Sequence, residues 1–213
     1  MMRFNPVFLI LCGVGFCSFI SYNLVRMPAL APFAESLGAG PVVVGFIVAA
    51  STFTGIFLKL PMGALSDIVS RRRLMLVGVL AFALPPFAYP LVTDLEILAG
   101  LRLIHGLATA VFTPLALASV ASMFPLNRGA ALGWYHSSAQ AGMLLGPMFG
   151  GWLVDAAGFS QTFLAGGGFG LLALSLYVTI LFLYPEETPF PQVNTEEIWD
   201  NFRQGLKAVI GHT

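Results

Sequence analysis

Charged residues are scarce in this chain of 213 residues, where Asp, Glu, Lys and Arg together make up 9%. Soluble domains carry about 25% charged residues. Here 57% of the residues are hydrophobic and the mean hydropathy is +0.86. This composition excludes an ordinary soluble domain and is typical of a membrane protein. Ten basic and ten acidic residues cancel, and no basic patch stands out, so nucleic acid is not an expected partner.

Cysteine is nearly absent, and the common catalytic motifs are missing. Cys12 and Cys17 both lie in the first apolar run, where two thiols indicate packing rather than a disulfide or a metal site. The chain has no phosphate-binding Gly-Lys-Ser/Thr loop, no Gly-x-Ser-x-Gly, no metal-ligand histidine spacing and no paired carboxylates. We therefore expect a protein that is not an enzyme and that uses no metal and no cofactor.

Six apolar segments are long enough to cross a bilayer core of about 30 Å, which needs roughly 20 residues per helix. They are 6–33, 41–66, 74–92, 95–124, 130–154 and 161–184. The predicted fold class is an all-α membrane protein with a bundle of six transmembrane helices in residues 1–184. The tail 185–213 is polar, and its part from Glu196 to Ile210 predicts a short amphipathic helix on the membrane surface.

Charge asymmetry between the loops sets the predicted orientation. With the N-terminus inside, the inner side carries Arg3, Lys59, Arg71, Arg72, Arg73, Arg128, Arg203 and Lys207. The outer loops carry acids, namely Glu35, Asp94, Glu96 and Asp155, and no clear basic residue. Both termini are therefore predicted to be cytoplasmic, in a multi-pass protein of the cell's inner (plasma) membrane whose constant partner is the lipid bilayer.

The segment GALSDIVSRRR at 63–73 places an acid where the second span ends and three arginines soon after it. The arginines alone would anchor an inner loop, but Asp67 works against that preference. An acid at a helix end pairs with an arginine or with a neighbouring helix N-terminus. Such a cluster can hold helix ends together in one conformation and release them in another.

This segment resembles the Gly-x-Leu-small-Asp-x-x-Gly-Arg-(Arg/Lys) loop of the major facilitator superfamily of secondary transporters. The matching positions are Gly63, Leu65, Ser66, Asp67, Arg71 and Arg72, and Ser70 stands where the family has glycine. The resemblance implies that the loop is a conformational switch centred on Asp67.

Two further patterns are similar to those of the same superfamily. RLIHG at 102–106 resembles its Arg-x-x-Gln-Gly, with His105 in place of glutamine, and this gives Arg102 a candidate role in proton coupling. The fifth span carries the glycine pattern associated with the exporter, or antiporter, branch: Gly133, Gly142, Gly146, Pro147, Gly150 and Gly151. Glycines four apart share a helix face, which predicts a close packing seam against the first span or a helix of a second half, with a bend at the proline.

Polar side chains form a stripe on three of the spans. The stripes are Ser18, Tyr22 and Arg26; Arg102, His105, Thr109 and Thr113; and His136 and Gln140. Ionisable groups inside a membrane are functional-site candidates, so we expect the stripes to converge on a central cavity. Arg26 has the alternative of reaching the outer headgroups, and hydroxyl groups more often serve helix packing. No carboxylate lies deep in a span, so a carboxylate proton carrier would have to come from elsewhere.

The superfamily has twelve helices in two six-helix halves with the substrate path between them. The resemblance therefore identifies this chain as one half of that fold, the N-terminal one, with 185–213 resembling the start of the central loop. A truncated fragment, a split carrier with a separate C-terminal half, and a homodimer are the alternatives.

The implied function is transport of a small organic solute by alternating access, with efflux driven by a proton gradient as the leading hypothesis. Uptake or exchange of an organic anion through Arg26 and Arg102, and a non-transporting fragment or assembly partner, remain alternatives.

Overall fold

The computed structural model describes residues 5–65 and 69–184, and every regular element in these ranges is helical. The elements are α1 (Pro6–Leu24), a π-helical turn (Val25–Ala29), α2 (Leu30–Ser36), α3 (Pro41–Leu65), α4 (Arg71–Ala83), α5 (Pro85–Ala88), a 3₁₀ turn (Tyr89–Leu91), α6 (Leu95–Met123) and α7 (Arg128–Leu183). Asp67 and the tail 185–213, with its predicted amphipathic helix, lie outside the described residues.

Local sequence explains where several helices begin and bend. The side chain of Asn5 caps α1 by accepting a hydrogen bond of 3.0 Å from the backbone N–H of Val7. Pro28 cannot donate to the helical ladder, and the chain passes it in the π-helical turn without ending the span. The two prolines at 85–86 follow the end of α4 and start the short α5, because proline fits the first turn of a helix but not its interior.

Five described helices are long and apolar enough to cross a membrane: Pro6–Ser36, Pro41–Lys59, Arg71–Leu91, Leu95–Met123 and Arg128–Leu183. The first four correspond to the predicted spans 6–33, 41–66, 74–92 and 95–124. The break expected between the segments 130–154 and 161–184 is confirmed at Gly158, where non-helical backbone angles interrupt α7, although no longer loop separates the two parts. Pro147 lies inside the helix, and the residue of α7 with non-helical backbone angles is Gly158.

Gly158 divides α7 into two arms, which we call the first arm (128–157) and the second arm (159–183). Its φ of 84° and ψ of 179° fall in a region that is essentially restricted to glycine. Positions 142–150 of the first arm lie along positions 16–28 of α1 in the same order, so the two run parallel. Positions 166–176 of the second arm meet α1 in the reverse order, so one glycine reverses the chain.

Two clusters of buried apolar side chains hold the helices together. One includes Phe8, Met75, Leu115, Tyr135 and Tyr177, and the other includes Leu30, Ile47, Tyr89, Leu98 and Phe163. The first joins the start of α1 to α4, α6 and both arms, while the second joins α2 and α3 to the middle of α7. Lipid tails are as apolar as these side chains, so burial from lipid adds little stability. The clusters therefore stabilise the bundle through close van der Waals packing.

The two ends of the bundle carry opposite charges. The basic end holds the starts of α4 and α7, with Arg71, Arg72, Arg73 and Arg128. The acidic end holds Glu35, Asp94, Glu96 and Asp155. An aromatic contact joins helices at each end. The ring centroids of Phe8 and Phe124 are 5.0 Å apart at the basic end, and those of Phe33 and Phe159 are 5.7 Å apart at the acidic end.

Candidate functional site

A cavity of about 440 Å³ lies between α1, α3, α6 and the first arm of α7. Its lining is Phe19, Tyr22, Asn23, Arg26, Ser51, Thr52, Gly55, Ile56, Lys59, Thr109, Thr113, Tyr135, His136, Ala139, Gln140 and Met143. The predicted stripes meet here in part, because each of the three contributes side chains to the wall. The cavity combines aromatic and apolar surface with polar and cationic groups, as small-molecule sites do.

Arg102 does not line the cavity but lies fully buried behind its wall. Its guanidinium donates a hydrogen bond to Oγ of Ser51 on α3, and the hydroxyl of Tyr22 donates to the same oxygen at 3.0 Å. Gly106, one turn further along α6, allows this contact, because a Cβ there would lie 2.6 Å from the carbonyl oxygen of Ser51. Nε and Nη1 of Arg102 have no hydrogen-bond partner among the described residues.

His105 is likewise fully buried, and it also lies outside the cavity lining. Its Nδ1 lies 3.1 Å from the hydroxyl of Tyr89, and its ring meets that of Tyr22 edge to face at 4.8 Å between centroids. Its Nε2 has no partner among the described residues. The expectation that His105 faces the cavity is therefore wrong. Sequence reasoning missed Tyr89, whose signal is an aromatic residue in the proline-rich turn before α6.

Arg26 lies on the π-helical turn, where it is half-buried and lines the cavity. Its guanidinium carbon is 5.9 Å from the centroid of the Tyr22 ring, and that of Arg102 is 5.6 Å from the same centroid. Both lie within the distance at which a cation is attracted to an aromatic face. The Tyr22 ring therefore lies close to both guanidinium groups, the half-buried one that lines the cavity and the fully buried one behind its wall.

The wall on α3 was not predicted. Ser51, Thr52 and Lys59 all line the cavity, although sequence reasoning placed Lys59 among the inner anchors near the end of the second span. The position near the end of the span is confirmed, since the apolar span is Pro41–Lys59, and the same lysine also lines the cavity. The available signal was a lysine eight residues after a serine in an apolar run, which places both on one helix face.

His136 and Gln140 of the first arm line the cavity opposite α3, as their predicted stripe requires. Thr109 and Thr113 of α6 line it as well, whereas Ser18 is fully buried and lies outside the lining. The lining contains no Asp or Glu. The carboxylates in the described part of the chain are those of the acidic end, so the charge in the cavity is positive.

The predicted switch segment lies at the basic end. Arg71 donates a hydrogen bond of 3.4 Å to Oγ of Ser122 at the end of α6. Arg72 donates to the carbonyl oxygen of Tyr184, just beyond α7, and the hydroxyl of Tyr177 donates to the carbonyl oxygen of Arg72 at 2.9 Å. The start of α4 is thus tied to the ends of α6 and α7. Gly63 belongs to the last turns of α3.

The exporter-type glycines fall into two groups. Gly142, Gly146 and Gly150 face α1, and a Cβ on Gly150 would lie 2.7 Å from the carbonyl oxygen of Leu24. The predicted seam against the first span is confirmed for these three. A Cβ on Gly133 or Gly151 would meet nothing within 4 Å, so these two take no part in the seam among the described residues.

These features define a class: an all-helical membrane protein whose polar side chains converge on a cavity inside the bundle. A sequence model described as Major Facilitator Superfamily matches residues 11–212, so the chain belongs to this superfamily. The family suggested by the loop and glycine patterns is thereby confirmed.

Several curated relatives are multidrug resistance proteins. The chain is 30% identical over 197 residues to the multi-drug resistance efflux pump PmrA of Streptococcus pneumoniae, covering 89% of this chain and 48% of the pump. It is 25% identical over 210 residues to multidrug resistance protein 2 of Bacillus subtilis, covering 97% of this chain and 51% of the relative. An uncharacterized MFS-type transporter of Methanocaldococcus jannaschii is 28% identical over 167 residues, or 78% of this chain and 41% of the relative. The chain therefore spans about half the length of these relatives.

Proposed function

We propose that this chain forms one six-helix half of a membrane carrier that moves a small organic solute out of the cell by alternating access. The observation that carries the proposal is the cavity of about 440 Å³, lined by side chains from four helices. Its volume falls within the range of about 300–1,000 Å³ that small-molecule sites occupy. Membership of the superfamily supports transport, and the names of the multidrug relatives support export.

We infer a topology of six spans, which the length and shape of α7 support. A straight helix of 56 residues is about 84 Å long, whereas a bilayer core is about 30 Å thick. The two arms of α7 run in opposite directions along α1, which fits two crossings that reverse at Gly158. With the basic end in the cytoplasm, as the charge asymmetry favours, both ends of the helical bundle would lie on the inner side of the plasma membrane.

Alternating access requires a second wall for the cavity. We infer that a further six-helix unit supplies it, either as a C-terminal half or as a second copy of this chain. The extent of the relatives supports this, since the chain matches about half of each. A chain without such a unit is the non-transporting alternative, in which the cavity remains a feature of a membrane fragment or an assembly partner.

The proton gradient is our proposed energy source, with Arg102 at the coupling point. The guanidinium of Arg102 is buried, and its unpartnered Nε and Nη1 leave donors available for a group that arrives in another state of the carrier. His105 and Tyr22 lie beside Arg102, so the surroundings of both side chains would change when that group arrives. Gly63, Asp67, Arg71 and Arg72 would act as the conformational switch, because Arg71 and Arg72 tie the start of α4 to the ends of α6 and α7 at the basic end.

Transport in everted membrane vesicles tests this function. The chain is expressed alone and together with a candidate second six-helix unit, and uptake of radiolabelled aromatic solutes of either charge is followed after the interior is acidified. We expect uptake that a protonophore abolishes. The variants Arg102→Met and Asp67→Asn should lose it while still inserting into the membrane, and Arg128→Gln is the matched control at an exposed arginine of the basic end. Wild-type rates in the first two variants would refute their roles, and no uptake in any pairing would favour the non-transporting alternative.

Uptake or exchange of a solute is the second candidate function. The observation that favours it is the absence of acidic residues from the described cavity lining, which leaves no carboxylate proton carrier there. Counterflow separates the candidates: an exchanger accelerates labelled uptake when unlabelled solute is preloaded, without any pH gradient. A proton-coupled exporter needs the gradient for net accumulation.

A further inference from the structure

We propose that the cavity binds an amphipathic organic anion, an aromatic or branched apolar body with a carboxylate or similar group, through Arg26 and Lys59. This inference rests on the proposed function and specifies the substrate class of the same site. It starts from the charges on the cavity wall. Arg26 and Lys59 are the two long basic side chains of the lining, and His136 is a third basic residue there.

No group of the described chain neutralises these cations. The lining contains no carboxylate, and the described acids, Glu35, Asp94, Glu96 and Asp155, lie at the acidic end. The Nε atom of Arg26 is buried and has no hydrogen-bond partner among the described residues. Unpaired cations inside a membrane are costly. An anion that enters the cavity would therefore gain both the charge interaction and the free donors.

Arg26 and Lys59 lie on opposite sides of the contact between Tyr22 and Ser51. α1 and α3 meet at this level through the hydrogen bond of 3.0 Å between their hydroxyl groups. Arg26 follows Tyr22 by one turn, about 6 Å toward the acidic end, and Lys59 follows Ser51 by about 12 Å toward the basic end. Because both side chains are long and flexible, an anion near the middle of the cavity is within reach of a cation from either end.

The remaining wall favours an organic anion over a small inorganic one. Phe19, Tyr22, Ile56 and Met143 present aromatic and apolar surface to the same cavity. Asn23, Gln140 and the hydroxyl groups of α3 and α6 add neutral hydrogen-bonding groups. An inorganic anion would leave the apolar surface unused, whereas an aromatic carboxylate uses both kinds of contact.

Equilibrium binding to the purified chain in nanodiscs of zwitterionic lipid tests the proposal, with empty nanodiscs subtracted. The probes share one ring and differ in charge: 2-naphthoate, 2-naphthamide and 2-naphthylmethylammonium. We expect 2-naphthoate to bind about tenfold more tightly than the amide, and the ammonium to bind most weakly. High salt should weaken only the binding of 2-naphthoate.

Substitutions then test whether Arg26 and Lys59 cause the preference for the anionic probe. Arg26→Gln and Lys59→Gln should each weaken 2-naphthoate binding about tenfold and leave 2-naphthamide binding unchanged, which also shows that the variants are folded. Lys59→Glu, at an exposed position, should move the preference toward the ammonium probe. Arg128→Gln removes an exposed arginine outside the cavity and should change nothing.

Three results would overturn the proposal: a preference for the ammonium probe, equal binding of all three probes, or no binding of any. An ammonium preference would indicate that a carboxylate from a second unit neutralises the cavity. The proposed transport function fails by a different observation, the absence of solute movement in vesicles. A carrier that transports cations would therefore refute the substrate class while leaving transport intact.

Discussion

The two arms of α7 share an apolar, glycine-rich composition but occupy different positions in the molecule. Both are apolar and rich in glycine, and both pack closely on a neighbouring backbone. The first arm lies on α1 and turns His136 and Gln140 toward the cavity. The second arm lies between α1 and α4, with Gly166 beside Ser21 and Gly170 beside Ala83, and contributes no described residue to the cavity lining.

This difference shows that close helix packing and a contribution to the cavity depend on different residues. Glycine at intervals of four indicates how closely a helix approaches its neighbour, and the indication holds for both arms. The polar residues decide whether an arm serves the site. In the second arm, the hydroxyls of Ser175 and Thr179 donate to carbonyl oxygens of their own helix at 2.8 and 2.9 Å and lie on the exposed side.

The largest effects are expected from filling the close contacts of both arms. Gly142→Leu would place a side chain against the carbonyl oxygen of Phe16. Gly170→Leu would place one against Ala83, because a Cβ on Gly170 would lie only 2.5 Å from the Cα of that residue. Overpacking by one or two methylene groups costs about 1–3 kcal/mol. A whole side chain against rigid backbone should therefore prevent recovery of monodisperse folded protein, as measured by size-exclusion chromatography in detergent.

Each arm supplies its own control for this test. A Cβ on Gly151 in the first arm or on Gly168 in the second meets nothing within 4 Å. Gly151→Leu and Gly168→Leu should therefore give the same yield and melting temperature as the wild type. If only the Gly142 variant fails and the Gly170 variant behaves like its control, the equal packing of the two arms is refuted.

A smaller loss is expected at the junction of the arms. Gly158→Ala forces a side chain onto a backbone with φ of 84° and ψ of 179°, although a Cβ there has open space. Such conformations cost about 1–3 kcal/mol for other residues. We expect a lower melting temperature in detergent. Gly168→Ala, at a helical position with equal space, should be neutral or slightly stabilising, so equal melting temperatures for both variants would contradict a strained junction.

Much of the helical framework could be predicted because its signals are local. The fourth span, predicted as 95–124, corresponds to α6 at Leu95–Met123, since charged and turn residues bound a long apolar run. The sequence also indicates where the fifth and sixth segments separate, because Gly158 lies in the gap 155–160 between the predicted spans. It does not indicate that a single glycine makes the reversal without a longer loop, since unusual backbone angles leave no mark in the hydropathy.

The site was less predictable because it depends on contacts between helices. Arg26, Thr109, His136 and Gln140 reach the cavity as their stripes indicate. Arg102 is removed from it because Gly106 brings α6 so close to α3 that the guanidinium meets Ser51 instead. Neither contact is encoded in the spacing within one helix.

The smallest effect is expected from polar side chains of the two arms in transport itself. Gln140→Ala removes a hydrogen-bonding group from the cavity wall, and a neutral hydrogen bond contributes about 0.5–1.5 kcal/mol. We expect solute binding or uptake to fall about 3- to 10-fold at unchanged melting temperature. Ser175→Ala in the second arm removes a hydroxyl that bonds the carbonyl oxygen of Leu172 on the exposed side, and it should leave uptake unchanged. Equal losses in the two variants would mean that the second arm also contacts the solute. The conclusion that only the first arm lines the site would then be wrong.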